Sequence, residues 1–524
     1  MQGPPRPLSP WFLELLQTWM AQQRWYAGKG RSPALRHIGT LRLEDQAAAV
    51  DIEIHLLRDE SGQVPTTYQV PLTCRAARLA GADHALVATL EQNSNGRDEP
   101  AVRSDRSDRS DRSELSELSD NRYFYDGPHD PAFATALLQL MLEEGVTAWN
   151  GEQESNPEQA LEGALGRCIA QGHRLTMADL GRLLTSRVLS GEQSNTSVIL
   201  ELADTLEGPS KPLICKLFRV LHHGQNPDVV VQSALAAAGS RRVPPSVGYV
   251  SGQWPDASAP AGVAAGHLAF AQEFLPGVED AWRVALTAVT TGTDFSEQAR
   301  SLGQATAEVH ATLAQAMGTR EATEDDKAAL TASMRARHVA ALAEVPALAA
   351  YDSMIRASIE GVSKASWPML QRIHGDYHLG QVLDAPDRGW VLVDFEGEPL
   401  RPLAERSQPD LALRDVAGML RSFDYAAGSM EQAPPGRSKA PVLDPAPLKT
   451  DPEKWATRAR TAFLEGYTSG AGLDPRADAA LLDALELDKA LYEVVYEARN
   501  RPSWLSIPTT AIDRLARQAR PSAG

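Results

Sequence analysis

The stretch that decides the fold is IHGDYHLGQVL at residues 373–383, followed by WVLVDFEG at residues 390–397. It places an acid at Asp376, an amide five residues later at Gln381, and a second acid, Asp394, after an apolar strand. Phosphoryl transfer from ATP uses such a set, because one carboxylate orients the acceptor hydroxyl while an amide and another carboxylate hold magnesium on the phosphates. The spacing therefore predicts Asp376 as the catalytic carboxylate, and Gln381 and Asp394 as metal ligands.

The same spacing occurs in protein kinases, which carry these roles on H-R-D-x-x-x-x-N and D-F-G. Here Gln replaces Asn, and D-F-G becomes D-F-E-G. We expect His374 to hold the loop by hydrogen bonds, whereas His378 is a candidate sugar contact. A metal-dependent phosphoesterase is the alternative that His374, Asp376 and His378 suggest, but it requires upstream ligands that the sequence does not clearly offer.

Composition restricts the other functional classes. The 524 residues carry a formal net charge of −17, which argues against a nucleic-acid partner and an anionic membrane surface. Three widely spaced cysteines predict neither a disulfide framework nor a zinc site. With no apolar run of 18 residues and no signal-peptide pattern, we expect a cytoplasmic protein without a membrane span.

The order of patterns along the chain predicts an α+β fold with two lobes, like that of protein kinases. Residues 1–90 combine a helix with alternating strands and are predicted to form an N-terminal α+β cap module. Residues 91–130 are a linker with an Arg-Ser-Asp repeat, which we expect to be disordered because it has almost no apolar residues. Residues 131–275 hold an intermediate region and the nucleotide-binding N-lobe, and residues 276–524 a helical C-lobe.

Candidate nucleotide contacts lie in the predicted N-lobe. Lys216, inside an apolar strand, is placed to pair the ATP phosphates. The polar hairpin turn at residues 191–197 is the candidate phosphate loop, through Ser194, Asn195 and Thr196. The candidate hinge that meets the adenine consists of Gln272, Glu273, Phe274 and Leu275. The acidic partner of Lys216 stays open, since Asp228 stands where a helix N-cap is expected.

At these residues the sequence resembles the bacterial maltokinases, a group of aminoglycoside-phosphotransferase-like kinases. The resemblance covers most of the chain except the Arg-Ser-Asp insert. Its most specific part is Gly-Gln at the metal position together with DFEGEP. The matching segments are QRWYAGKG at 23–30, NPD at 226–228, EFLPG at 273–277, HGD at 374–376, GQVL at 380–383, DFEGEP at 394–399, RDVAGML at 414–420 and YEARNRP at 496–502.

The resemblance implies phosphorylation of maltose at its anomeric hydroxyl by ATP with Mg²⁺, giving maltose 1-phosphate for α-glucan (glycogen-type) synthesis. It also implies an N-terminal cap packed on a kinase N-lobe. Because some relatives form one, the resemblance also implies a complex with trehalose synthase, and we expect a monomer rather than an oligomer. Two departures are the missing acid on the helix after Lys216 and Tyr377 in place of the usual Leu, which we interpret as packing.

A helix predicted over residues 481–501 is the candidate sugar site. Lys489, Tyr492, Glu493 and Tyr496 share one face through steps of three and four residues. The resemblance to maltokinases implies that this face offers aromatic rings and charged groups to maltose. The structural alternative is a Glu493–Lys489 ion pair with core tyrosines. Two further functions stay open: a kinase for glucosamine or glucose, and a non-catalytic regulatory protein with a kinase-like fold.

Overall fold

A computed structural model describes residues 8–45, 49–92, 98–100, 121–149, 167–189, 194–206, 208–398, 401–432, 451–471 and 474–518. The chain divides into two compact units. Unit 1 comprises residues 1–229 and 245–276, and unit 2 comprises residues 230–244 and 277–524. The Arg-Ser-Asp insert and positions 191–193 of the predicted phosphate loop lie outside the described residues. The boundaries of the four predicted segments stay a prediction.

Unit 1 begins with helix α1 (Pro10–Gln22), which has Pro at its first position and buries Phe12, Leu16 and Met20. An antiparallel sheet follows, in the order β1-β2-β3-β6-β4-β5, and a later strand, β12, pairs with β3. Its strands are β1 (Leu35–Leu43), β2 (Asp51–Asp59), β3 (Thr66–Arg75), β4 (Leu86–Gln92), β5 (Asp98–Pro100), β6 (Asn121–Asp126) and β12 (Val220–Leu221). This first sheet contains the strands expected of the cap.

A second antiparallel sheet completes unit 1, in the order β7-β8-β13-β14-β11-β10-β9. Helix α2 (Pro131–Leu142), capped by Asp130, buries Phe133 and Leu137 in the same apolar cluster as this sheet. The strands are β7 (Val146–Trp149), β8 (Cys168–Arg174), β9 (Leu183–Val188), β10 (Thr196–Leu202), β11 (Leu213–Leu217), β13 (Ser246–Pro255) and β14 (Val263–Glu273). The predicted β9–β10 hairpin and the strand that carries Lys216 are confirmed.

Helix α3 (Pro227–Ala237) starts in unit 1 and continues into unit 2. Unit 2 is mainly helical, and its largest apolar cluster runs through most of its helices. The helices are α4 (Ala281–Thr291), α5 (Ser296–Met317), α6 (Glu324–Glu344), α7 (Asp352–Val362), α8 (Leu403–Arg406), α9 (Ala412–Gln432), α10 (Pro452–Ala471), α11 (Ala479–Asn500) and α12 (Ser506–Gln518). The short strands are β15 (Glu279–Asp280), β16 (Thr319–Arg320), β17 (Leu370–Gln371), β18 (Val382–Ala385) and β19 (Gly389–Leu392).

The predicted order of a sheet-rich half before a helix-rich half is confirmed. The helix predicted over residues 481–501 is α11, and it ends directly before Arg501 and Pro502 because proline cannot continue a helix. All three cysteines are free and buried. Among the described residues, we find no helix with the length and apolarity needed to cross a bilayer.

Candidate functional site

Asp415 on α9 holds the loop that carries Asp376. Its two carboxylate oxygens accept the backbone N–H groups of His374 and Gly375, at 2.7 and 2.9 Å. The His374 ring also hydrogen-bonds the Val393 carbonyl at 3.0 Å, which confirms its expected role in fixing the loop. Asp415 in turn contacts His310 Nε2 at 3.0 Å. These contacts attach both the catalytic loop and the strand before Asp394 to the helical core.

Two glycines bring the catalytic loop against the D-F-E-G segment. Gly375 has φ +84°, and a Cβ placed on it would lie 3.1 Å from the Cα of Gly397. Only glycine adopts that backbone conformation without strain, and a side chain would also separate the two segments. The HGD motif therefore needs its glycine for this close approach, and Gly397 of the DFEG motif, with φ +72°, has a backbone conformation that favours glycine.

Asp376 lies beside a lysine that the sequence assigns to sugar binding. Lys489 Nζ is 3.3 Å from Asp376 Oδ1 and 3.3 Å from Glu398 Oε1. Burial opposes ionisation of Asp376, but the positive charge of Lys489 outweighs it and lowers the pKa of the carboxyl. Asp376 is thus held as a carboxylate, the form that accepts a proton from an acceptor hydroxyl.

The two predicted metal ligands are neighbours. Gln381 Nε2 donates to Asp394 Oδ2 at 3.0 Å, and Asp394 has φ +68°, a conformation that is uncommon outside glycine. This hydrogen bond fixes the amide so that its oxygen is the atom left for a cation. Amide and carboxylate oxygens are the donors that Mg²⁺ prefers, so the donor set fits the metal.

His378 caps the short helical turn Leu379–Gln381, and its Nδ1 accepts the Gly380 N–H at 3.0 Å. Burial lowers the pKa of His378 and favours its neutral form. A contact of His378 with a sugar stays a prediction. Tyr377 is buried, and its hydroxyl bonds Thr306 at 2.8 Å, which confirms that it serves packing.

The candidate sugar face of α11 is only partly as expected. Tyr492 and Tyr496 stack with ring centroids 6.5 Å apart and planes 19° apart, and Tyr496 is 42% exposed. Lys489 Nζ lies 4.9 Å above the Tyr492 ring. Glu493 instead pairs with the buried Arg421 at 2.7 Å, so the alternative Glu493–Lys489 ion pair is wrong. Since Glu493 is held by Arg421, we leave it out of the proposed sugar contacts.

The sequence did not predict that Arg337 and Glu398 belong to the cluster around Asp376 and Lys489. Arg337 on α6 lies 3.2 Å from Glu398 Oε2 and also pairs with Asp488 on α11. Glu398 was noticed only as part of the DFEGEP segment. Arg337 stands in a stretch of helix with no motif, and therefore only the packing of α6 on α11 reveals it.

Lys216 has an acidic partner in unit 1. Its Nζ lies 2.8 Å from Asp228 Oδ2, and both side chains are largely buried. The expectation that Asp228 caps a helix is wrong: Asn226 Oδ1 accepts the Asp228 N–H at 2.9 Å, and α3 begins at Pro227. Because Asn226 supplies the cap, the carboxylate of Asp228 is available to orient the lysine.

Some of the other predicted nucleotide-binding groups already have hydrogen-bond partners within the protein. Thr196 is 6% exposed and begins β10, and its hydroxyl accepts a hydrogen bond from Arg219 Nε at 2.8 Å. Ser194 and Asn195 therefore stay the better candidates for phosphate contacts. In the predicted hinge, the N–H groups of Glu273 and Phe274 donate to Pro245 and Pro212 carbonyls, at 3.0 and 2.8 Å. A purine at this segment would therefore use the carbonyls or the next N–H, that of Leu275.

The side chains of the predicted hinge have other roles. Gln272, at the end of β14, is paired through its backbone with both β11 and β13. The largely buried Glu273 carboxylate accepts Lys211 Nζ at 3.0 Å. These contacts hold the strand end in place, and an adenine contact at residues 272–275 stays a prediction.

Comparison with known proteins agrees with this geometry. Residues 19–99 match the maltokinase N-terminal cap domain, and residues 185–480 match the phosphotransferase enzyme family. A glucosamine kinase of Mycolicibacterium smegmatis is 31% identical over 352 residues, which cover 63% of this chain and 79% of that protein. A glucosamine kinase of Streptacidiphilus jiangxiensis is 32% identical over 263 residues, 47% of this chain and 57% of that protein, so this match spans little more than half of the relative.

A solved structure shares the whole fold. A glucosamine kinase in complex with glucosamine, ADP and inorganic phosphate is 22% identical, with a TM-score of 0.59, and the match covers 95% of this chain and 98% of that one. The matched family region spans more than half of the sequence and includes Lys216, Asp376, Gln381 and Asp394. The chain therefore belongs to the phosphotransferase enzyme family, and a maltokinase-type cap domain precedes its phosphotransferase domain.

Proposed function

We propose that the protein is a maltokinase, which transfers the terminal phosphoryl group of ATP to the anomeric hydroxyl of maltose and yields maltose 1-phosphate and ADP. The family assignment and the relatives support a sugar phosphotransferase. The choice of maltose rests on the maltokinase-type cap and on the Asp376–Lys489–Glu398 cluster. The further role in supplying α-glucan synthesis, and a complex with trehalose synthase, follow from the resemblance alone.

The observation that carries the choice of sugar is the position of Lys489. Its ammonium group lies 3.3 Å from both Asp376 and Glu398, the two carboxylates best placed to receive a cationic substrate. An amino sugar carries its own ammonium group, which would compete with Lys489 for these oxygens. A neutral sugar does not compete, and its hydroxyls can donate to the carboxylates and accept from the lysine.

Two tyrosines of α11, the half-buried Tyr492 and the exposed Tyr496, suit a second sugar ring. Sugar rings pack their apolar faces on aromatic side chains, and Tyr492 and Tyr496 provide two stacked rings one helical turn apart. Beyond them, Arg501 lies 5.5 Å from the Tyr496 ring and 4.8 Å from the Trp504 ring. These rings and the cation continue from the last turns of α11 past its end at Asn500, and they offer more packing surface than one sugar ring needs, which favours a disaccharide.

The protein groups perform distinct steps in the proposed reaction. Asp376 accepts a hydrogen bond from the anomeric hydroxyl, orients its oxygen and takes its proton as the bond to phosphorus forms. Lys216, oriented by Asp228, neutralises ATP phosphate oxygens. Gln381 and Asp394 would hold Mg²⁺, which when bound offsets negative charge on the phosphates.

The alternative substrate is glucosamine, which both curated relatives favour by name. The test is ADP release from MgATP with maltose, glucose, glucosamine or no sugar, with phosphorus NMR to identify the product. Release with maltose and an anomeric phosphate would support the proposal. ADP release with glucosamine alone would support a kinase but overturn maltose as its substrate. If none of the sugars raised ADP release above the background without sugar, a non-catalytic role would be favoured.

A further inference from the structure

Arg219 is a fully buried cation that joins the first sheet of unit 1 to the start of β10. Its Nη2 lies 2.8 and 2.7 Å from the two carboxylate oxygens of Asp126 at the end of β6. Its Nε donates to Thr196 Oγ1 at 2.8 Å, and its guanidinium lies 4.6 Å from the Trp25 ring. Trp25 belongs to the QRWYAGKG motif, for which the proposed reaction has no use.

The backbone on both sides of Arg219 is anchored independently of its side chain. Gln69 of β3 donates its N–H to the Arg219 carbonyl at 3.0 Å, and its side-chain amide donates to the carbonyls of Phe218 and Leu268, at 2.6 and 2.5 Å. Directly afterwards, β12 pairs with β3. Replacing the Arg219 side chain therefore leaves the attachment of this segment to the first sheet in place.

We infer that Arg219 is a positioning residue for nucleotide binding, which acts by fixing Thr196 and hence the residues directly before it. Thr196 is opposite Leu217 in the β10–β11 ladder, next to the Ser197–Lys216 pair. A hydrogen bond to Thr196 therefore sets where β10 begins relative to Lys216. Ser194 and Asn195 directly precede this point, so their positions depend on where β10 begins. The buried Arg219 does not touch ATP itself.

The shape of the guanidinium group accounts for arginine, and not lysine, at position 219. One guanidinium reaches the carboxylate of Asp126 with Nη2 and the hydroxyl of Thr196 with Nε, while its flat face covers Trp25. A lysine would keep the charge that Asp126 requires but has one nitrogen, and cannot hold both partners in this geometry. Arg219→Lys thus removes the positioning contact while limiting the cost of a buried, unpaired carboxylate.

The test measures ATP binding by calorimetry without sugar, using Arg219→Lys, Thr196→Val and the double variant. We expect each single variant to weaken ATP binding about tenfold, the usual worth of a hydrogen bond to a charged group. The double variant should be no weaker than either single one, because both remove the same contact. In turnover assays, the KM for ATP should rise while the KM for sugar changes less than about twofold.

Arg75→Lys is the matched control, since Arg75 forms a comparable two-point ion pair with the buried Asp130 but has no bond to Thr196. It should lower the melting temperature without changing ATP affinity. Equal ATP affinity in Arg219→Lys and Arg75→Lys would reduce Arg219 to a packing residue. Weaker binding in Thr196→Val alone would instead give Thr196 a direct contact and also overturn the inference.

The inference rests on the proposed nucleotide role of residues 194–196, but its test does not depend on the sugar. If maltose is not the acceptor, ATP titrations of the variants still decide the role of Arg219. If the wild-type protein binds ATP and phosphorylates maltose while the variants bind ATP normally, the proposed function stands and the inference fails.

Discussion

At the scale of single residues, Asp376 is the group on which the proposed chemistry depends. Asp376→Asn keeps the size of the side chain but removes the proton acceptor, so we expect kcat to fall by roughly 10²–10⁴-fold. ADP release at saturating maltose measures the change. Asp384 is an exposed aspartate on β18, and Asp384→Asn is the control that should retain full activity. Near-normal turnover in Asp376→Asn would remove this carboxylate from the mechanism.

Lys489 should set the acid limit of activity. Burial alone would raise the pKa of Asp376, and the positive charge of Lys489 is the largest influence that lowers it. In Lys489→Met the burial remains and that charge is lost, so the pKa of Asp376 rises. The acidic limb of kcat/KM should then move to higher pH by about one unit or more. A limb that stays in place would show that another group controls it.

At the scale of elements, we expect the exposed side of α11 to bind the second sugar ring. Tyr496→Ala should raise the KM for maltose about tenfold, since the variant removes an aromatic packing surface, and should leave the affinity for ATP unchanged. Because Tyr496 is 42% exposed, its loss should cost little stability. Tyr496→Phe keeps the ring and is the matched control. A change in ATP affinity alone would contradict the assignment.

Glycines determine how closely α5 and α10 pack. A Cβ on Gly466 would lie 1.9 Å from the Arg300 carbonyl oxygen, and one on Gly303 would lie 2.1 Å from that of Phe463. Gly466→Ala should therefore push the helices apart and lower the free energy of unfolding by about 1–3 kcal/mol, as measured in urea. Gly361→Ala is the control: it lies in α7 with open space around it, and should be stabilising by roughly 0.5–1 kcal/mol.

The elements were more predictable than the contacts between them. Alternating and helical periodicities predicted the hairpin before Lys216 and the helix that ends before Pro502, because both depend on local sequence. The partner of Lys216 was missed because Asp228 also fits a cap, and only the structure shows that Asn226 supplies it. Arg337 was missed for a different reason: its partners lie far away in sequence, and no local pattern records them.

At the scale of the whole molecule, buried histidines make unit 1 sensitive to acid. Burial lowers the pKa of His55 to about 3, whereas the unfolded chain binds this proton near pH 6.5. A lowered histidine pKa gives stability that is complete above pH 6.5 and is lost as the pH falls toward the folded value. At pH 5 the loss from His55 alone is about 2 kcal/mol.

Hydrogen exchange of β2 amides at pH 7.5 and 5, corrected for intrinsic rates, measures this loss. Burial also lowers the pKa values of His37 and His267 in the same unit, to about 4, so they add to the effect. His55→Gln should reduce the difference between the two pH values, and replacement of the exposed His84 by Gln should not. Equal protection of β2 at both pH values in the wild type would contradict the prediction.

The contact of Arg219 with Asp126 and Trp25 also bears on how such proteins diverge. The strand β12, which follows the strand of Lys216, pairs with β3. The arginine between these two strands contacts Asp126 at the end of β6 and Trp25 in the segment between α1 and β1. A graft of this cap onto another kinase would leave a buried charge without its partner unless positions 25, 126 and 219 were exchanged together. We therefore expect the residues at these three positions to covary among relatives. Such covariation would mean that the cap and the nucleotide-binding sheet evolve together.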